Sequence, residues 1–276
     1  MTDQPALLGA RRVRGLLDKH GVTPRRALGQ NFVVDPNTIR KAVAAAGVAG
    51  DDVVLEIGAG AGSLTVGLAS AARRVIALEV DPRVLPVLEE AVAGLDNVTV
   101  VQADALHYDF TSSEASAIVA NLPYNIAATL ILKVLEEAPQ IRAITAMTQK
   151  EVGERLGAAP GGKEYGATSV LVAFRARARV VAEVSRRAFY PVPNVDSVLV
   201  RIDRRQERPH VDEGRFVQVV KAAFAQRRKT LRNALAAVAG SPAAAERALA
   251  ACGIDPSARA EDVDVEGFAA LAGELA

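Results

Sequence analysis

Val53-Val54-Leu55-Glu56-Ile57-Gly58-Ala59-Gly60-Ala61-Gly62-Ser63 decides the architecture. Its first five residues, largely apolar and β-branched, read as a buried strand. Three glycines follow at alternate positions, and Leu64, Leu68 and Ala69 then recur at helical spacing. Strand, glycine turn and helix in that order make the nucleotide-binding unit of open α/β sheets. Glycine lets the turn double back sharply and lets backbone approach a ligand closely. The spacing argues against an ordinary dinucleotide site. That fingerprint wants G-x-G-x-x-G, with a pyrophosphate at the helix N-terminus. Here the third glycine comes one residue early, and Glu56 stands two residues before the first. A carboxylate there repels a pyrophosphate and suits a cation.

Outward from this unit the pattern repeats. Arg74–Leu78 reads as a strand ending at Glu79-Val80-Asp81-Pro82, with a helix over Val84–Ala93. Val98–Val101 reads as a third strand, with Asp104 just past its end, and Ala117–Ala120 as a fourth. A helix over Ile126–Leu135 and a fifth strand over Ile141–Thr148 follow. Strands alternating with helices predict an α/β fold around a parallel sheet. Glu79 lies near the distance past the glycines at which an acid grips ribose hydroxyls. Each acid read singly serves equally well as a helix cap. Glu56, Glu79 and Asp104, after three successive strands, form a convergent set that capping does not require.

The fourth strand runs into Asn121-Leu122-Pro123-Tyr124. Asn121 offers a side-chain carbonyl, Leu122 and Pro123 offer main-chain carbonyls, and Tyr124 offers a flat ring. Acceptors beside a stacking face suit the amino group of a planar base. Turn chemistry alone explains Asn and Pro as well, so the motif gains its meaning from its neighbours.

The flanks carry the charge. Residues 1–30 hold six basic and two acidic groups, net +4; residues 51–120 hold three and eleven, net −8. Residues 201–232 hold ten and four, net +6; residues 236–276 hold two and seven, net −5. The formal total of +1 conceals this asymmetry, which suits a polyanion meeting part of the surface. Residues 6–20 read as a basic amphipathic helix. Asp35 before Pro36 reads as an N-cap for a helix to Ala46, closed by Gly47. After a helix over 149–156 and a Gly/Pro-rich loop, Thr168–Phe174 and Val195–Ile202 read as strands. Between them, Phe189 and Tyr190 follow Arg186 and Arg187 in a loop stiffened by Pro191 and Pro193. Exposed aromatics beside arginines suit base stacking next to phosphate; a hydrophobic plug fits this loop equally well. From about Arg208 the texture turns helical, over 211–239, 242–251 and 265–276. Two domains are expected, 1–205 and 206–276, with Arg227, Arg228, Lys229 and Arg232 on a basic helix of the second as phosphate contacts.

Other chemistries are disfavoured. Three scattered histidines, one cysteine and no H-E-x-x-H or C-x-x-C pattern argue for no metal site. Neither G-x-S-x-G nor a P-loop is present. The lone Cys252, the absence of a secretory h-region at the start and the lack of a long apolar run favour a cytoplasmic protein without a membrane span.

Together these stretches resemble the ribosomal RNA adenine N6,N6-dimethyltransferases, in particular the bacterial small-subunit branch whose loss gives kasugamycin resistance. The resemblance rests on LGQNFVVD at 28–35, VLEIGAGAGSLT at 54–65, ALEVD at 77–81, QADAL at 102–106, NLPYNIA at 121–127 and FYPVPNVDSV at 189–198. It implies a Rossmann-like class I methyltransferase domain with a mostly parallel seven-stranded sheet, a small all-α C-terminal domain, and S-adenosylmethionine as methyl donor, leaving as S-adenosylhomocysteine. It implies that Asn31 and Val33 approach the methionine side of the donor and that Gly58 floors it. Glu79 would hold the ribose, Asp104 would face the adenine, and Asn121 would stand between donor and target base. Asn121, Leu122, Pro123, Tyr124 and Phe189 would make the catalytic set, and the chain would act on small-subunit ribosomal RNA as a monomer. Ala59 stands where relatives often carry proline, and Phe-Tyr replaces Phe-Phe at 189–190. The large-subunit branch linked to antibiotic resistance shares these motifs. A methyltransferase-fold binding factor without catalysis is the reading from another class.

Overall fold

Apolar spacing and caps set the elements in chain order. The structure, a computed structural model, describes residues 6–25, 28–226 and 228–276. Helix α1 (Ala10–Lys19) buries Val13, Leu16 and Leu17 and exposes Arg11, Arg12 and Arg14. Strand β1 (Phe32–Val33) is followed by α2 (Pro36–Ala46), whose N-cap Asp35 accepts hydrogen bonds from Asn37 N and Thr38 N. Then come β2 (Val53–Ile57), α3 (Ser63–Ala69), β3 (Arg74–Glu79), α4 (Leu85–Ala91), β4 (Val98–Gln102), β5 (Ala117–Asn121), α5 (Ala127–Glu137) and β6 (Ala143–Gln149).

The chain divides into two compact units, Met1–Gly153 with Arg179–Arg204, and Glu154–Ala178 with Arg205–Ala276. In the chain's order α6 (Lys150–Leu156), α7 (Ala167–Arg175), β7 (Ala176–Val184), β8 (Phe189–Tyr190) and β9 (Ser197–Arg204) lie between and across these boundaries. The later boundary falls beside the expected 205/206, while residues 154–178 group with the tail helices.

The seven-stranded sheet has the order β4-β3-β2-β5-β6-β9-β7. The pairs from β4 through to β6 are parallel, and β9 runs antiparallel to β6. All five residues of β2 are buried, as expected for a parallel strand covered on both faces. The order reverses between β2 and β5, and that is where open α/β sheets bind ligands, beyond the strands' carboxyl ends. Ile57 pairs with Ala120 there, so the glycine turn and Asn121 emerge side by side.

Two expectations are corrected. Thr168–Phe174 is not a strand; it lies in α7, where Ser169, Val170, Leu171, Val172 and Phe174 are all buried. A helix buried on most of its circumference gives a continuous apolar run that periodicity cannot separate from a strand. The strand instead follows it, as β7, whose largely exposed residues carry Arg177 and Arg179. The helix expected over 211–239 breaks into α8 (Glu213–Phe224), α9 (Leu231–Ala234) and α10 (Ala236–Ala239). Gln226 and Lys229 form a turn, and Leu231 N bonds Ala258 O instead of continuing the helix. With α11 (Pro242–Ala251) and α12 (Val265–Glu274) these make the helical part of the second unit, where Phe174 stacks on Phe216 at 4.1 Å. Among the described residues no helix is long and apolar enough to cross a membrane.

Candidate active site

At the switch point a narrow hollow is lined by Phe32, Val33, Glu56, Gly58, Gly60, Ser63 and Asn121, among others. The glycine turn forms its floor. Gly58 N and Ala59 N both donate to Leu78 O, at 2.9 and 3.0 Å, which folds the turn back towards β3. Gly60 has φ +56°, and a Cβ there would come 2.8 Å from the Phe32 ring. Only glycine permits this backbone and this close an aromatic wall.

Two buried glutamates serve the floor differently. Glu79 Oε2 accepts from Gly60 N at 2.8 Å, and Oε1 accepts from Val80 N and Asp81 N at 2.9 Å each. Burial raises its pKa, and these three N–H groups oppose the rise. Glu79 therefore holds the turn from behind and is not part of the hollow's lining. Glu56 does line it, is 1% exposed, and its Oε2 has no hydrogen-bond partner. Burial pushes its carboxyl up to about 8; the nearby Thr65 hydroxyl opposes the rise and the neighbouring Glu79 adds to it. Ser63 Oγ, also lining the hollow, is likewise buried without a partner. Orphaned acceptors in a cleft of low polarity call for a ligand that brings positive charge and donors.

A strap formed by residues 29–33 crosses the strand ends. A Cβ on Gly29 would meet Pro123 Cβ at 2.9 Å, and Gln30 Nε2 donates to Asp81 Oδ2 at 2.9 Å. Asn31 O accepts from Asn121 Nδ2 at 2.8 Å. That bond fixes which way the Asn121 amide faces, and its Oδ1 has no partner among the described residues. Pro123 O is already taken by Ile126 N at 3.2 Å, so Leu122 O is the freer main-chain acceptor. Tyr124 is half-buried, its hydroxyl 3.4 Å from Ser197 Oγ.

Of the residues singled out from sequence, Val33, Gly58 and Asn121 line the hollow. Asn31 and Glu79 touch its wall from outside through the bonds just given. Asp104 stands at the end of the neighbouring strand, where Ala103 N donates to Glu79 O at 3.1 Å. Its carboxylate accepts from Leu106 N and lies 2.8 Å from His107 Nδ1, exposed rather than in the hollow. Phe189 is the clearest correction. The expected exposed ring is 3% exposed, because β8 pairs with β1 and turns Phe189 into the core with Val119, Met147 and Leu199. Alternation puts the next residue, Tyr190, on the other face with Phe32, half-buried against the cluster that holds Val13 and Leu16, and Arg14 lies over it with its guanidinium carbon 4.6 Å from the ring centre. Phe32 and Ser63 were missed as lining residues; their positions beside Asn31 and at the helix start were the available signal. Arg227 lies outside the described residues. Arg228 and Lys229 are exposed, and Arg232 pairs with Glu246 at 2.8 Å.

The strand order and the glycine-floored hollow at its switch point define a Rossmann-like methyltransferase. Over residues 21–276 the sequence matches the model of the family described as ribosomal RNA adenine dimethylase. It is 49% identical over 281 residues to a ribosomal RNA small subunit methyltransferase A of Rhodococcus erythropolis, covering 98% of this chain and 94% of that one. Its fold is similar to a dimethyladenosine transferase from Plasmodium falciparum, at TM-score 0.78 and 26% identity, covering 87% of this chain and 95% of the other. It is also similar to the 23S rRNA methyltransferase ErmE, at TM-score 0.68 and 29% identity, covering 89% and 99%. The chain belongs to the ribosomal RNA adenine dimethylase family, whose methyl donor is S-adenosylmethionine.

The residues present fit that donor. Glu56 Oε2 and Ser63 Oγ are buried in the hollow's lining without a hydrogen-bond partner, as suits a ligand that carries polar hydrogens of its own.

Proposed function

We propose that this chain dimethylates N6 of adenosines in small-subunit ribosomal RNA, as a monomer in the cytoplasm. The observation that carries the reading is the Asn121 amide, held by Asn31 O so that Oδ1 stands free at the mouth of an acidic, glycine-floored hollow. Near-full-length identity to relatives named for the small subunit supports the choice of RNA. The lone Cys252 suits a reducing compartment.

The chemistry asks little of the protein beyond aim. When bound, S-adenosylmethionine supplies a methyl group already activated by a positive sulfur. An adenine amino group is a poor nucleophile because its lone pair is spread into the ring. Asn121 Oδ1 accepts one of its N–H bonds and Leu122 O the other, which draws the lone pair out of conjugation and turns it towards the hollow. Tyr124 stacks on the extruded base, an interaction of roughly 1–3 kcal/mol. Glu56 and Ser63 would hold the cationic, N–H-bearing part of that donor. No side chain need act as a strong base: the nitrogen would become cationic as its new bond to the methyl carbon replaces that carbon's bond to sulfur, and its surplus proton then passes to water. Fixed dipoles and positioning then supply most of the acceleration. Val33 and Asn31 would border the methionine end; Asp104 would meet the adenine end after exchanging its bond to His107.

The test is transfer of labelled methyl to purified small ribosomal subunits and, separately, to large-subunit RNA, followed by nucleoside analysis. N6,N6-dimethyladenosine from the small subunit is expected. Label confined to large-subunit RNA, or none in either, would sink the reading.

A further inference from the structure

The β1–β8 ribbon joins the hollow to a set of unpaired arginines. Phe32 and Val33, on one strand, line the hollow; Tyr190, paired with Phe32, is half-buried against the same core cluster. Arg14 of α1 lies over the Tyr190 ring at 4.6 Å. Arg11 stands one turn earlier on the same helix face, three residues away. Arg186 and Arg187 occupy the 3₁₀ turn that leads into β8, and that turn is tied to the strap by Val34 N donating to Ala188 O at 2.8 Å. All four residues are exposed and none makes an ion pair with a described acid, though Arg186 Nη1 donates to Asn194 O at 3.5 Å. The acid nearest in these bonds, Asp196, accepts from the Arg186 main-chain N–H. Arg12 on the same helix is likewise exposed and without an acid partner, so the first part of α1 presents Arg11, Arg12 and Arg14 free while its last residue, Lys19, meets Glu90 at 2.8 Å.

We propose that Arg11, Arg14, Arg186 and Arg187 form a phosphate-binding rim that grips the RNA backbone flanking the target adenosine. The inference rests on the proposed action on ribosomal RNA. Guanidinium groups fork onto phosphate oxygens, and a guanidinium held over an aromatic ring loses less freedom in doing so. A charged rim positions the strand without reading sequence, leaving base recognition to Asn121 and Leu122.

The experiment compares the intact protein with an Arg11→Gln/Arg14→Gln/Arg186→Gln/Arg187→Gln variant. Binding to protein-free small-subunit ribosomal RNA is measured from about 50 to about 200 mM KCl. The salt slope should fall by about 0.7–0.9 for each lost contact, roughly three in all. S-adenosylmethionine affinity and melting temperature, read on the same samples, should stay unchanged. An Arg→Lys version at the four positions keeps the charge and should restore most of the slope. A slope within about half a unit of the unaltered protein's would overturn the rim. Methyl transfer to purified small ribosomal subunits is scored separately. An unaltered protein that binds with the steep slope yet transfers nothing would defeat the functional reading and leave the rim standing.

Discussion

The two ends of the central sheet treat buried carboxyls in opposite ways. At the amino end Asp52, just before β2, is saturated. Its Oδ1 accepts from Ser116 Oγ at 2.7 Å, and its Oδ2 accepts from Ala49 N at 2.7 Å and from Arg142 Nη2. Burial works against ionisation there, but bonds from Arg142, Ala49 and Ser116 outweigh it and hold the carboxyl down at about 2. Ser116 and Arg142 precede β5 and β6, so one carboxylate ties the starts of three strands. Four residues on, at the carboxyl end, Glu56 is buried more deeply, 1% exposed against 8%, has an oxygen with no partner, and is pushed up to about 8. One strand thus carries a finished ion network at one tip and an unfinished acceptor at the other. Proteins tolerate buried unsatisfied groups where a ligand completes them. The amino end therefore serves stability and the carboxyl end serves binding.

The largest effect that would sharpen this division is at Asn121. Asn121→Ala removes the oriented amide oxygen while leaving the sheet intact. Turnover should fall by on the order of a hundredfold or more, about 2.7–4 kcal/mol of transition-state stabilisation. Cofactor affinity and melting temperature should change far less. Near-normal single-turnover rates would remove Asn121 from the chemistry and blur the functional end.

Next comes the opposite tip. Asp52→Asn should lower unfolding free energy by about 1.5–3 kcal/mol at neutral pH, the range for hydrogen bonds to a charged group. Its folded pKa is depressed, so its contribution is present above the unfolded value near 3.8 and is lost as pH falls through about 2. Denaturant titrations of both proteins should therefore converge in strong acid. Methyl transfer at saturating substrates should stay near normal. A loss of turnover larger than the loss of stability explains would break the division of labour.

Much of this was legible in sequence because it is local. Strand, glycine turn and helix, the acids at strand tips, and the Asp35-Pro36 cap are patterns within a dozen residues. What failed to read was set by distant pairing. Phe189 looks like an exposed ring until Val33, far earlier in the chain, pairs with it and fixes which face is buried. Asn121 shows its residue type in sequence, but the direction of its amide depends on Asn31 O. Thr168–Phe174 is apolar in a way that fits strand or helix, and only burial on most sides decides for helix. β7 is hard to see because an edge strand with charged, exposed positions lacks the apolar run of its neighbours. The turn after Phe224 likewise depends on Ala258 receiving Leu231 N, a contact across the helical unit.

Glu56→Gln should give the smallest change in magnitude, with opposite signs in two measurements. Below about pH 4.5 the carboxyl is protonated in both folded and unfolded chains and costs nothing. As pH rises towards about 8 the unfolded chain ionises while the folded one stays protonated, so wild-type stability falls across that window; above it the cost is constant. The amide cannot ionise. Without donor, the variant should therefore be more stable than wild type by on the order of 1–3 kcal/mol at about pH 8, with the gain gone near pH 4. S-adenosylmethionine brings positive charge to the orphaned oxygen, so the same substitution should weaken its binding by about tenfold, about 1.4 kcal/mol. Calorimetric titration in buffers of different ionisation enthalpy checks the link: wild type should release a proton on binding at neutral pH, and the variant should not. A variant that gains stability and binds the donor as tightly as wild type would make Glu56 a mere burial defect, and the contrast between the sheet's two ends would lose its functional half.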